Sequence, residues 1–171
     1  MLLEILKITI PSLVVFFTAY FTLKQLLKKE SDIKKAEIVL QNKKIITPIR
    51  LQAYERIILF LERSSPNSVI VRLQTPNMTV QQLHKEMLVL IRSEFEHNLS
   101  QQLYLSIDAW EMVRNAKEKT IKLVNLCLED IDTNANALKL SQAIFEKLIE
   151  IDTSPTQEAI NFIKKEISFL Y

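Results

Sequence analysis

From residue 8 to residue 23 the chain reads ITIPSLVVFFTAYFTL, sixteen positions without a charge. Leu2, Leu3, Ile5 and Leu6 extend this run on one side, and Leu26 and Leu27 on the other. A spanning helix needs roughly 20 mostly apolar residues to cross about 30 Å of hydrocarbon. Lys7 and Lys24 lie where their stems can run along the helix and their ammonium groups reach the headgroups. Pro11 falls in the first turns, where a missing N–H does least harm. Phe16, Phe17, Tyr20 and Phe21 leave no polar face, which argues against a helix lying flat in the interface. Residues 1–27 therefore read as a single transmembrane anchor. A cleaved signal peptide would want a basic start and small residues at a cleavage site, and this run instead leads into FTLKQLLKKE.

Beyond the anchor the pattern is helical throughout. Residues 28–46 form a basic juxtamembrane stalk of strong helix formers, with Leu26, Leu27, Ile33, Ala36, Val39 and Leu40 at roughly heptad spacing. Thr47 and Pro48 read as a helix start, Thr as N-cap and Pro at the first helical position. That helix would turn Leu51, Tyr54, Ile57, Ile58 and Leu61 inward and stop at Ser64, Ser65 and Pro66. A short packed piece, NSVIVRLQTPN, follows. Thr79 with Gln82 is a capping box opening a helix to about Tyr104, with Leu83, Met87, Leu90, Ile91, Phe95 and Leu99 as its stripe.

Ser106 caps the next helix, which places Trp110, Val113, Ile121, Val124, Leu128 and Ile131 on one side. After Asp132, Thr133 and Asn134 comes a helix with Leu138, Phe145, Leu148 and Ile149 inward. Ser154, Pro155 and Gln157 start the last, burying Ile160, Ile163, Ile167 and Leu170. The expectation is an all-α chain: anchor, stalk, and a bundle of about five helices over residues 47–171.

Composition narrows the chemistry. Glycine is absent. The dinucleotide fingerprint and the Walker loop both need it, so no nucleotide is expected. A hairpin-rich sheet is disfavoured as well. Helix ends must close with Asn or irregular turns.

Residues 24–50 hold eight basic and three acidic residues, a net of +5; residues 51–171 hold thirteen and sixteen, a net of −3. By the positive-inside rule everything after the anchor is cytoplasmic. Lys24, Lys28, Lys29, Lys34 and Lys35 are candidates for contact with anionic lipid headgroups, or are simply solvated. A mildly acidic domain is the wrong charge for a nucleic-acid reader, so no nucleic acid is expected as a partner. Cys127 is the only cysteine, which fits a reducing compartment.

Candidate chemistry is thin. Glu94 and His97 have the Glu-x-x-His spacing of carboxylate-bridged di-metal bundles, but Gln81 precedes His84 where a second motif would need a carboxylate. His97 and Ser100 could touch on a helix, without any oxyanion-hole signature. Cys127 reads as a small core residue and Trp110 as core. No catalytic, metal or cofactor residue is assigned.

The stretches PIRLQAYERIILFLERSSP, RSEFEHNLSQQLY and DAWEMVRNAKE carry a resemblance across the whole chain. It is to an uncharacterised bacterial family of short proteins with one N-terminal membrane helix. The resemblance implies architecture, a bacterial cytoplasmic membrane location and no assigned activity. It also marks a crowd of polar residues: Gln52, Glu55, Arg56, Glu62, Arg63, Glu94, Glu96, His97, Asn98, Gln101 and Gln102. These form either a hydrogen-bonded network between helices, the preferred reading, or an exposed contact surface. The sequence expectation is a non-enzymatic, membrane-tethered adaptor with another protein, or a second copy, as partner. The alternatives are an accessory subunit that uses its membrane helix as the contact, and a metal-dependent or hydrolytic enzyme built on Glu94 and His97.

Overall fold

The computed structural model describes residues 2–170, with the side chains of residues 2–6, 8, 9, 11 and 170 outside the description. The described residues form six α-helices and one 3-10 turn: α1 (Leu2–Arg63), α2 (Pro66–Leu73), α3 (Val80–His97), the 3-10 turn (Leu99–Leu103), α4 (Ile107–Leu126), α5 (Leu138–Glu150) and α6 (Pro155–Leu170). The fold is all-α, as the periodicity predicts. The chain divides into two compact units, Met1–Pro48 and Ile49–Tyr171.

The first unit is helix alone, and none of its described side chains is buried. Thr18 and Thr22 donate their hydroxyls to the carbonyls of Val14 (2.7 Å) and Thr18 (2.8 Å), one turn back. That leaves neither hydroxyl as a free donor on an apolar helix. Lys24 leans back over Tyr20, 6.0 Å from its ring centroid.

Among the described residues no helical stretch is long and apolar enough to cross a membrane. Residues 12–23 supply twelve uncharged positions before Lys24, about 18 Å of helix at the α-helical rise. The side chains of Leu2, Leu3, Ile5, Leu6, Ile8 and Pro11, which the anchor reading also uses, lie outside the described ones.

The helix start expected at residues 47 and 48 is overturned. Thr47 and Pro48 do not start a helix: α1 is unbroken from Leu2 to Arg63. A proline inside a helix removes the one bond its N–H would give to the residue four back. Helix formers on both sides carry the chain through that loss.

The second unit is built from caps and two cores. Ser65 accepts from the Ser68 amide to open α2, and Thr79 and Gln82 form the reciprocal capping box of α3. Ser106 caps α4, and Ser154 accepts from the Gln157 amide at the start of α6. Helices end without any left-handed residue among those described; α3 closes on Asn98 and passes into the 3-10 turn. That ends α3 at His97, short of Tyr104, and leaves Leu99 exposed.

One buried cluster joins Val69 and Ile70 of α2, Leu83, Met87 and Ile91 of α3, Leu123 and Val124 of α4, and Leu140 and Ile144 of α5. The other joins Tyr54, Ile57, Phe60 and Leu61 of α1 to Ala109, Val113 and Ala116 of α4 and to Ala159, Ile160 and Ile163 of α6. Helix α4 belongs to both, one half to each. Its alanines with Ala159 let α4 and α6 approach closely.

Helix α5 departs from the expected face. Leu140, Ser141 and Ile144 are buried, whereas Leu138, Phe145 and Ile149 are exposed. The cause is non-local. The Val80 amide bonds the Ala135 carbonyl and the Ala137 amide bonds the Met78 carbonyl, each at 2.9 Å. Asn136 then holds the Leu138 amide on Oδ1 (2.9 Å) and gives Nδ2 to the Pro76 carbonyl (3.2 Å). This clamp sets the rotation at which α5 enters the core.

Candidate functional site

The last turns of α1 carry Arg56, Leu59, Phe60 and Arg63 at i, i+3, i+4 and i+7, which places them on one helix face. Ser93, Glu94, His97 and Asn98 lie at the end of α3. Phe60 packs edge-on to Phe95 with ring centroids 5.9 Å apart, which holds these two helices together. Between the two rows runs a groove of about 420 Å³ lined by all eight residues.

Glu94 is the electrostatic centre of the groove. Its Oε1 accepts from Arg63 Nη2 (2.7 Å) and Nε (3.0 Å) and from Arg72 Nη2 (3.2 Å). Burial pushes the Glu94 carboxyl up, but the hydrogen bonds and charges of Arg63 and Arg72 outweigh it and hold the pKa below the ordinary carboxylate value. Arg72 also reaches the Arg63 carbonyl at 3.4 Å. Asn98 Nδ2 donates to the Glu94 carbonyl at 2.8 Å. His97 Nδ1 lies 2.7 Å from the Ser93 carbonyl. A carbonyl only accepts, so Nδ1 carries the proton and Nε2 is left for the groove. Two arginines paired to one carboxylate, with Arg56 also lining the groove, make this a locally positive spot on an acidic unit.

The groove gathers Arg56, Arg63, Glu94, His97 and Asn98 from the polar residues singled out in the sequence. Gln52, Glu55, Glu62, Glu96 and Gln102 are exposed and outside it, and Gln101 is buried with Nε2 3.3 Å from Ser100 Oγ. His97 and Ser100 are not joined by a hydrogen bond among the described residues; Ser100 Oγ accepts from Gln101 Nε2 instead. Among the described residues no three His, Cys, Asp or Glu side chains cluster in a way that could hold a metal. Trp110 stacks on Phe95 at 5.4 Å, with Lys117 Nζ 4.4 Å from the Phe95 centroid, so it serves as core. Burial pushes the Cys127 thiol up, opposed by the charge of Lys147 and joined by that of Glu150. Lys24, Lys28, Lys29, Lys34 and Lys35 are exposed along the first unit.

Sequence reasoning missed Arg72, and it missed a second polar hub. Glu166 of α6 accepts from the Tyr54 hydroxyl on one oxygen and from Ser106 Oγ (2.7 Å) on the other. Ser106 meanwhile caps α4 through the Ala109 amide at 3.0 Å. Arg50 Nε adds a bond to the Tyr104 carbonyl at 3.0 Å. Burial of Tyr54 raises its pKa, and the bond and charge of Glu166 raise it further. A signal existed: Glu166 is three residues past the buried Ile163, an inward position on α6.

The chain belongs to the family of unknown function designated DUF7935, which it matches over residues 1–170. No curated protein and no solved structure matches it.

Proposed function

We propose that this member of the DUF7935 family is a membrane-tethered helical adaptor, with α1 crossing the bilayer once and Ile49–Tyr171 presented on the cytoplasmic face. One observation carries the tether. Ile10, Leu13, Val14, Val15, Phe16, Phe17, Tyr20, Phe21, Leu23, Leu26 and Leu27 are all more than half exposed. Five of them are consecutive, and at 100° per residue they surround the helix completely. Such a helix needs apolar cover on every side, which hydrocarbon supplies and a single protein groove does not. With the apolar residues before Ser12, the run 2–27 is about 39 Å long as a helix, enough to span. The lysines after it set the direction, and Lys24, Lys28, Lys29, Lys34 and Lys35 meet the anionic headgroups.

The adaptor work falls to the arginine groove. Arg56 makes no ion pair among the described residues, and Leu59 beside it is exposed. A guanidinium fork next to an apolar contact fits an acidic, partly apolar segment of a partner protein. The test is purification of the full-length chain from its membrane with whatever companion travels with it. Arg56→Glu with Arg63→Glu should release a stoichiometric companion, and replacing residues 8–23 by an unrelated apolar helix should retain it. A companion kept by the charge reversal, or lost on the anchor swap, would overturn the groove reading.

A further inference from the structure

Hydrogen bonding around the arginine groove is lopsided, and the groups it leaves open say what kind of segment fits there. All three donors that reach Glu94 use one oxygen: Arg63 Nη2 at 2.7 Å, Arg63 Nε at 3.0 Å and Arg72 Nη2 at 3.2 Å meet Oε1. Oε2 takes no hydrogen bond among the described residues. It is not sealed in the fold either, because Ser64 Oγ is the one buried side-chain polar atom among those residues without a partner. Three residues on, His97 Nδ1 donates to the Ser93 carbonyl at 2.7 Å, so Nε2 carries a lone pair. The α3 row therefore offers two acceptors, Glu94 Oε2 and His97 Nε2.

The α1 row offers the reverse. Arg56 has no ion pair among the described residues, and its guanidinium only donates. Leu59, three residues on, is exposed and lines the same groove. On each row the two groups thus sit at i and i+3, about 5–6 Å apart between Cβ atoms. In an extended chain, side chains two residues apart share a side at about 6.7 Å, and the one between them points the opposite way. A segment laid along the groove in that conformation meets one row with its odd positions and the other with its even ones.

We infer that the groove takes an extended peptide of alternating chemistry. An apolar side chain and a carboxylate, two residues apart, meet Leu59 and Arg56; hydrogen-bond donors at the alternate positions meet Glu94 Oε2 and His97 Nε2. Glu94 and His97 are then the residues that set its sequence preference. A segment with the carboxylate alone displaces water from both acceptors and gives them nothing to accept, which costs affinity. This rests on the adaptor reading of the groove and adds the sequence pattern of the partner; it does not depend on the tether.

Three synthetic peptides test it on the full-length protein in detergent, read by the amide resonances of residues 93–98. Acetyl-Leu-Asn-Asp-Asn-amide has the whole pattern, acetyl-Leu-Ala-Asp-Ala-amide lacks the donors, and acetyl-Leu-Asn-Asn-Asn-amide lacks the carboxylate. The first should bind about tenfold tighter than the second, roughly threefold for each hydrogen bond, and tighter than the third. His97→Phe keeps a ring and removes the acceptor, at an exposed position where no core is disturbed. In that variant the preference for the first peptide over the second should fall to about threefold. Equal binding of the first two, with the third weaker, would overturn the inference and leave the adaptor reading of an acidic segment standing. A preference untouched by His97→Phe would overturn it as well. Failure of all three peptides to bind, or equal binding with and without the carboxylate, would overturn it together with the groove reading.

Discussion

Glu94 places three charge-assisted bonds on one oxygen, with its side chain 17% exposed and those of Arg63 and Arg72 46% and 36%. That exposure discounts the ion pairs to about 1 kcal/mol in all. The sign of the pH dependence follows from the depressed pKa. The unfolded chain binds the proton near the ordinary value of 4.5, and the folded chain only at lower pH. The stabilisation is thus complete above the unfolded value and is lost as pH falls through the folded one. Glu94→Gln should cost about 1 kcal/mol at neutral pH and flatten the acid limb of the stability curve, read by denaturant unfolding of the full-length protein in detergent. The polar crowding in RSEFEHNLSQQLY pointed to this place, because Glu94, His97 and Asn98 share a helix face by spacing alone. Arg72 was not legible, since its role depends on α2 folding back towards the end of α1.

Caps and cores at the level of elements were largely written locally. Thr79 with Gln82, Ser106, and Ser154 with Gln157 each meet their amides as the spacing predicts, because a cap involves residues only three apart. Two elements show where local signals fail. Thr47 and Pro48 look like a helix start, yet the same pair is tolerated inside α1. Helix continuity is decided by both flanks, and a start signal reads only one. Pro48→Ala would restore a donor for the Lys44 carbonyl, so amide exchange over residues 45–51 should slow several-fold; unchanged exchange would mean that the helix is not continuous there. In α5, Leu138, Leu140, Ile144, Phe145, Leu148 and Ile149 spread over about half the circumference of the helix, so periodicity alone did not say which edge of that arc faces inward. Asn136 and the pairing of residues 135–137 with 78–80 chose it, and such contacts are invisible to a one-dimensional pattern.

Taken as a whole molecule, the chain separates a basic first unit from an acidic second one and has a single family identity spanning both. The second unit buries apolar residues in two clusters that share α4. None of the described side chains of the first unit is buried. A helix with large apolar side chains on every side is under strong pressure to leave water, at about 25 cal/mol for each Å². The tether is thus the claim on which the adaptor reading rests. Its most direct test is a scan of single cysteines along α1 in a Cys127→Ser background, labelled in sealed membranes and after opening them with an impermeant maleimide. The account predicts that positions 12–23 resist the reagent throughout and that positions 30–46 react only when the cytoplasmic side is accessible. Equal labelling at both sets of positions would contradict it and place the apolar helix in water or against protein.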